Sequence, residues 1–213
     1  MARKAALVRS AKFILAMAVL FGILPAPVRA ETTIVIIRHG EKPALGLGQL
    51  TCQGLNRALA LAPRLLSRYG VPVAVYAPNP AQTKKDYGIP YAYVRPLATI
   101  EPLAVRAGLP VNLEWGITDI EPLAERVLAR SPGTQVVAWE HYWGEALARH
   151  LLSRLGGNPD QVPRWEDADF DSMFVIRAGE DENGRRLVSF TRERQGLDSL
   201  PEHCSDGSFP EGR

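Results

Sequence analysis

The strongest constraint on the fold is the run Thr33-Ile34-Val35-Ile36-Ile37, β-branched at every position and apolar at four. With almost no polar face to offer water, it reads as a short strand covered on both sides. Such strands belong to mainly parallel sheets whose connections carry helices. The run stops at Arg38, and the following segments alternate in the same sense.

Behind Thr51, a suitable N-cap, Leu55, Ala58, Leu59, Ala62, Leu65, Leu66 and Tyr69 recur at helical spacing up to Gly70. Pro63 inside that pattern predicts a kink or break. Val73–Ala77 reads as a second strand. Pro78 to Val94 reads as a long loop, a form that often serves as a lid or binding loop. Pro96 suits the first turn of a helix running towards Gly108, interrupted at Pro102. A third strand is expected at Val111–Leu113. Asp119 is placed to cap a helix carrying Ile120, Leu123, Ala124, Val127 and Leu128 on one face. Gln135–Trp139 is a fourth strand, followed by a helix with Trp143, Leu147, Ala148, Leu151, Leu152 and Leu155 on its apolar side. Phe174–Ile176 and Leu187–Phe190 flank Asn183-Gly184 and predict a hairpin. The expectation is a single α/β domain over residues 31–213, with a loose polar tail at 201–213. It has three layers, a mainly parallel central sheet with helices on both faces.

Residues 1–30 follow a different plan. Five basic side chains and no acid accompany an uncharged apolar stretch from Phe13 to Leu24, which ends in Val28-Arg29-Ala30. This is the pattern of a secretory signal peptide. It predicts cleavage after Ala30 and export to a periplasm or the exterior. The alternative is an uncleaved membrane anchor, but the apolar stretch is shorter than the roughly 20 residues that span a bilayer. No later stretch is long and apolar enough to span one, so no stable membrane association is expected after cleavage. The remaining chain has 20 basic and 23 acidic residues, a balance that gives no support for a nucleic-acid partner. Cys52 and Cys204 are the only cysteines. In an oxidising compartment they could pair and tie the tail to the body, and they could equally remain free thiols. So widely separated, without a matching pair of histidines, they do not make a zinc site.

Two histidines occupy equivalent places: His39 just past the first strand and His141 just past the fourth. Ligands of open α/β sheets bind outside the carboxyl ends of strands, so both face the expected site. His150, within a helix, and His203, in the tail, read as structural or surface residues. Arg38 presents a planar fork of donors matched to phosphate oxygens. A neutral His39 with one ring nitrogen fixed by a partner would be a nucleophile at the other. Gly40 lets the chain turn sharply and a ligand approach closely.

Four motifs in order resemble the histidine phosphatase superfamily, with its phosphoglycerate-mutase-like fold, over about residues 33–155. They are Arg38-His39-Gly40-Glu41; Leu50-Thr51-Cys52-Gln53-Gly54 followed by Arg57-Ala58; Arg95-Pro96-Leu97-Ala98-Thr99; and Val136-Val137-Ala138-Trp139-Glu140-His141. The resemblance implies that His39 takes the phosphoryl group as phosphohistidine and that Arg38, Arg95 and His141 hold its oxygens. Water then hydrolyses the intermediate, with no metal and no cofactor. Arg95 here follows the insertion Asn79 to Val94, with Arg106 as the alternative, and His141 is followed by Tyr142 and Trp143 rather than by glycines. The rings of Tyr142 and Trp143 either narrow the pocket or pack in the core. For the general acid the resemblance points to a carboxylate between Arg95 and His141: Asp119 first, with Glu114 as well as Glu140 as alternatives. Lys84 and Lys85 either attract an anionic substrate or form a solvated surface. The expected function is an exported phosphatase acting on small phosphomonoesters. The alternative is a catalytically idle phospho-ligand binding protein that retains the pocket. Mutase activity on glycolytic substrates fits export poorly.

Overall fold

A computed structural model of the chain describes residues 31–130 and 132–204. The signal peptide expected at 1–30 lies outside the described residues, as does the tail beyond 204. The elements run β1 (Thr32–Arg38), α1 (Cys52–Tyr69), β2 (Ala74–Tyr76), β3 (Thr83–Asp86), β4 (Ile89–Ala92), α2 (Arg95–Ala107) and β5 (Val111–Asn112). They continue with α3 (Ile120–Ala129), β6 (Gly133–Trp139), α4 (His141–Leu155), β7 (Ser172–Glu180) and β8 (Arg186–Arg194).

The main sheet has the order β5-β2-β6-β1-β7-β8. β1 pairs in parallel with β6 and antiparallel with β7, so the apolar run at Thr33–Ile37 lies inside the sheet. Its alternate side chains enter two separate cores. Val35 and Ile37 meet Leu61, Ala62 and Leu65 of α1 and Ile100, Leu103 and Ala104 of α2. Ile34 and Ile36 meet Leu123 and Val127 of α3 and Leu147, Leu151 and Leu152 of α4. All four strand residues are fully buried, each contributing about 2 kcal/mol from the apolar surface it removes from water. The three-layer α/β plan with helices on both faces is therefore the observed one, and the sheet is parallel in its β5-β2-β6-β1 half.

Several local expectations are corrected. Helix α1 runs unbroken through Pro63. The lost hydrogen bond falls at Leu59, and both Leu59 and Pro63 are exposed residues, on the side of the helix where water can replace it. Helix α2 likewise continues through Pro102. The stretch read as a loop from Pro78 to Val94 contains the antiparallel hairpin β3–β4. Its two turn residues, Tyr87 (φ 51°) and Gly88 (φ 83°), both have positive φ, the backbone of a type I′ turn. Asp119 precedes α3 without capping it, because its carboxylate accepts from the N–H of Gly116 at 2.8 Å.

Pro201 and His203, expected to be loose, accept hydrogen bonds from Asn56 Nδ2 through their carbonyls at 2.9 and 3.0 Å. A disulfide joins Cys52 to Cys204 across 152 residues and anchors this stretch at the start of α1. Closing so long a loop in the unfolded chain should stabilise the fold by about 5 kcal/mol. Reduction, or the pair Cys52→Ser and Cys204→Ser, should lower the unfolding free energy by that amount and shift the urea midpoint downward by the corresponding ΔΔG/m. An unchanged midpoint would show that the bridge constrains little.

Candidate active site

The register of β1 and β6 builds the site. Arg38 pairs with Trp139, and the His39 N–H donates to the Trp139 carbonyl at 3.1 Å, so His39 and Glu140 leave the sheet side by side. Beyond them the chain must turn sharply. At Gly40 a Cβ would lie 2.8 Å from the Gly54 carbonyl oxygen. At Gly54 one would lie 2.5 Å from that of Glu41. The Leu-Thr-x-x-Gly stretch thus matters because α1 starts backbone-to-backbone against the strand end. Thr51 caps α1 through its hydroxyl, which accepts from Gly54 N–H at 3.1 Å. Gly40 N–H in turn donates to Thr99 Oγ1 at 2.9 Å, and that hydroxyl donates to the Arg95 carbonyl at 2.8 Å. The Arg95-x-x-x-Thr99 spacing is therefore one helical turn that ties α2 to the end of β1.

His39 is almost wholly buried. Its Nδ1 lies 2.7 Å from the Gly40 carbonyl, which assigns the proton to Nδ1 and leaves the lone pair on Nε2. Burial holds its pKa well below the usual imidazole value. The charges of Arg38 and Arg95 push the same way, against the Gly40 carbonyl and Glu140. The ring is neutral at physiological pH, as a nitrogen nucleophile requires. Tyr93 meets it edge-on with ring centres 5.9 Å apart, and Phe170 lies at 6.1 Å.

Arg38 and Arg95 are both buried and are held in similar ways. Arg38 Nη1 donates to the carbonyls of Asp167 (2.6 Å), Asp169 (3.3 Å) and Glu166 (3.4 Å), with its guanidinium 3.9 Å above the Phe170 ring. Arg95 Nη1 donates to Asp86 Oδ2 at 2.7 Å and to the Gly46 carbonyl at 3.3 Å. In each arginine Nε is buried without a protein partner. A buried N–H left in this state costs about 1–3 kcal/mol unless something else accepts it. Both lie close enough to His39 to depress its pKa.

Glu140 is the carboxylate whose charge acts on both His39 and Arg38. Its Oε2 accepts from Trp143 N–H at 3.2 Å, capping α4, while Oε1 lies 2.8 Å from His141 Nδ1 and 3.4 Å from Lys84 Nζ. Burial raises its pKa, but His141, Lys84 and the Trp143 N–H outweigh that and bring it down to about 2. His141 Nε2 meets Asp167 Oδ1 at 2.7 Å at the solvent edge. Beside it opens a cavity of about 210 Å³ lined by His141, Tyr142, Glu145, Arg164, Trp165 and Asp167. Tyr142 lines this side cavity, on the outer side of His141, and is largely exposed, whereas Trp143 packs against the α3/α4 core. Lys84 reaches inward over Tyr93, its Nζ 5.3 Å from the ring centre, while Lys85 is exposed.

Of the residues singled out in the sequence, Arg38, His39, Arg95, His141 and Glu140 come together with Lys84. Asp119 closes its own turn on Gly116; Glu114 and Arg106 are exposed on the surface. Sequence reasoning missed Asp86, Tyr93, Asp167 and Phe170. Phe170 and Asp167 reach Arg38 across more than a hundred residues, a contact without local periodicity. Among the described residues no group of three or more His, Cys, Asp or Glu side chains could hold a metal ion.

No protein-family model and no curated sequence matches the chain. Solved structures do. A mycobacterial glucosyl-3-phosphoglycerate phosphatase in complex with inorganic phosphate is 17% identical, covering 77% of this chain and 98% of its own, with a TM-score of 0.50. The chain has the phosphoglycerate-mutase-like fold. Also similar are phosphoserine phosphatase from Entamoeba histolytica with 3-phosphoglyceric acid (15% identity, 77% and 98% coverage, TM-score 0.48) and a phosphoglycerate mutase from Bacillus anthracis (14%, 76% and 93%, TM-score 0.42).

Proposed function

We propose that this chain is an exported phosphatase of the histidine phosphatase superfamily, hydrolysing small phosphomonoesters through a phosphohistidine on His39. The observation that carries the reading is the pair of buried arginines with unpartnered Nε–H groups beside a neutral imidazole. A phosphoryl group supplies oxygens for both, and Nε2 supplies the attacking lone pair. In the first step the Nε2–P bond forms while the P–O ester bond breaks, and the leaving alkoxide takes a proton. In the second, water attacks phosphorus and the P–N bond breaks, releasing inorganic phosphate. Side-chain cations supply the electrostatic stabilisation, so the transfer needs no metal. Glu140 is ionised in the free pocket. A dianionic phosphate beside it favours its protonated form, which can donate to the leaving oxygen. The disulfide supports export to an oxidising compartment.

The test is release of inorganic phosphate from p-nitrophenyl phosphate in the presence of a chelator, combined with trapping of an acid-labile phosphohistidine. A second reading, an idle phospho-ligand binder, is favoured by the carboxylates that already face Arg95 and His141. Phosphate binding without trapped phosphohistidine or turnover would select it. Both readings expect phosphate binding. At about 100 times its dissociation constant phosphate should stabilise the protein by about 2.7 kcal/mol, raising Tm by roughly 5–10 °C. Arg38→Ala should remove most of that shift. A wild-type protein indifferent to phosphate would sink both.

A further inference from the structure

The hairpin between β2 and α2 presents two charged side chains inward. Lys84 and Asp86 are two residues apart on β3 and so share one face of the strand, while Lys85 is exposed on the other. Lys84 reaches Glu140. Asp86, nearly fully buried, reaches Arg95.

Arg95 has five donors. Asp86 takes Nη1 at 2.7 Å and Nη2 at 3.4 Å in an end-on pair, and the Gly46 carbonyl takes Nη1 as well. These anchors use the end of the fork. The remaining edge is the one formed by Nε and Nη2, the edge that binds two phosphate oxygens side by side. Nε is buried there without a partner. Asp86 is itself fixed, because Oδ2 also accepts Gly48 N–H at 3.1 Å, and a Cβ at Gly46 would lie only 2.3 Å from its Cγ. Gly46 and Gly48 both have positive φ, so the 46–48 loop is shaped to close around this carboxylate. Arg95, the Gly40–Thr99–Arg95 chain of hydrogen bonds and His39 thus form one frame, with Asp86 at its far corner.

We infer that Asp86 is a positioning residue that turns the Nε–Nη2 edge of Arg95 towards the phosphoryl oxygens, so that the inserted hairpin aligns the pocket. The inference rests on reading this pocket as a phosphate site. Asp86 has no contact with the phosphoryl group and acts through Arg95 alone. The opposite role for a carboxylate at this place would be competition: a counter-ion that phosphate must displace. The two roles differ in sign.

The test is a double-mutant cycle of Asp86→Asn, Arg95→Lys and the combined variant, reading the inhibition constant of orthovanadate and the KM for p-nitrophenyl phosphate. Positioning predicts that Asp86→Asn weakens vanadate about tenfold, the loss of roughly one charge-assisted hydrogen bond, and raises KM with it. In the Arg95→Lys background the same change should have almost no effect. Partial unfolding would lower the active fraction without moving an inhibition constant, so a purely structural role gives a different result. If the asparagine variant does not fold, Asp86→Glu, which keeps the charge but displaces it, enters the same cycle with the same expected direction. Unchanged or tighter vanadate binding in the Asp86 variant, or an equal loss in both backgrounds, overturns the inference while leaving the phosphate reading intact. A wild-type protein that neither turns over the ester nor responds to vanadate overturns that reading, and the inference with it.

Discussion

His39→Ala is expected to lower kcat/KM for a phosphomonoester by on the order of 10⁴-fold or more, while the folded protein continues to bind phosphate. The size follows from what the side chain does in the proposed reaction. Without Nε2 that reaction has no covalent intermediate, and water must attack the ester directly. Phosphate binding persists because the buried donors belong to Arg38 and Arg95, neither of which relies on the imidazole for its anchors. Acid pH should reproduce part of the loss. The nucleophile is the neutral ring, and the folded pKa lies well below the ordinary value of 6.5, so the limb belonging to His39 must appear only below that pH. Stability carries the matching sign. Below about pH 6.5 the unfolded chain binds a proton at this position that the folded chain refuses, so stability falls as pH drops towards the folded pKa. Phosphate release by purified His39→Ala protein at a rate near wild type would remove His39 from the chemistry.

The fold was largely legible because its signals are local and strong. A β-branched run such as Thr33–Ile37 has few alternatives to a buried strand, and the ends of such strands mark where a ligand can sit. The hairpin at 83–92 was illegible for a related reason. Its alternation places Lys84 and Asp86 inward, towards charged partners rather than an apolar core, so the pattern that identifies a strand is absent. Its turn is Tyr87-Gly88 instead of one of the commoner pairs with asparagine or aspartate. Asp119 shows another limit. An aspartate before a helix can cap it or hold the preceding turn, and the choice depends on which N–H comes within reach, here that of Gly116. Arg38 shows a third. Its position after a strand was visible, but its anchors are carbonyls from a segment with no contact periodicity at all.

Arg57→Met should destabilise the protein by about 3–5 kcal/mol, a drop of roughly 10 °C in Tm for a chain of this size. Arg57 is one of the largest fully buried side chains. Its Nε donates to both Glu41 oxygens at 3.0 Å, and Nη2 reaches Glu41 Oε1 at 2.6 Å. On the other side Nη1 reaches Asp171 Oδ1 at 3.1 Å and Gln195 Oε1 at 3.0 Å. The residue therefore joins the turn just past His39 to the start of β7 and the end of β8. Methionine fills much of the volume but strands Asp171, which keeps only the N–H groups of Gly196 and Leu197 and the exposed Arg194. The pH dependence separates this cause from lost packing. Burial raises the Asp171 pKa, but those N–H groups and Arg57 outweigh it, leaving the folded value below the ordinary one. In wild type that stabilisation is present above the unfolded pKa of about 4 and is lost as pH falls through the folded value. Without Arg57 the folded pKa rises, so protonation relieves the stranded charge at a higher pH. The stability gap between wild type and variant should narrow as pH falls below about 4. A gap of the same size at pH 7 and pH 3.5 would assign the loss to packing, and a gap under about 1 kcal/mol at pH 7 would show that the network contributes little.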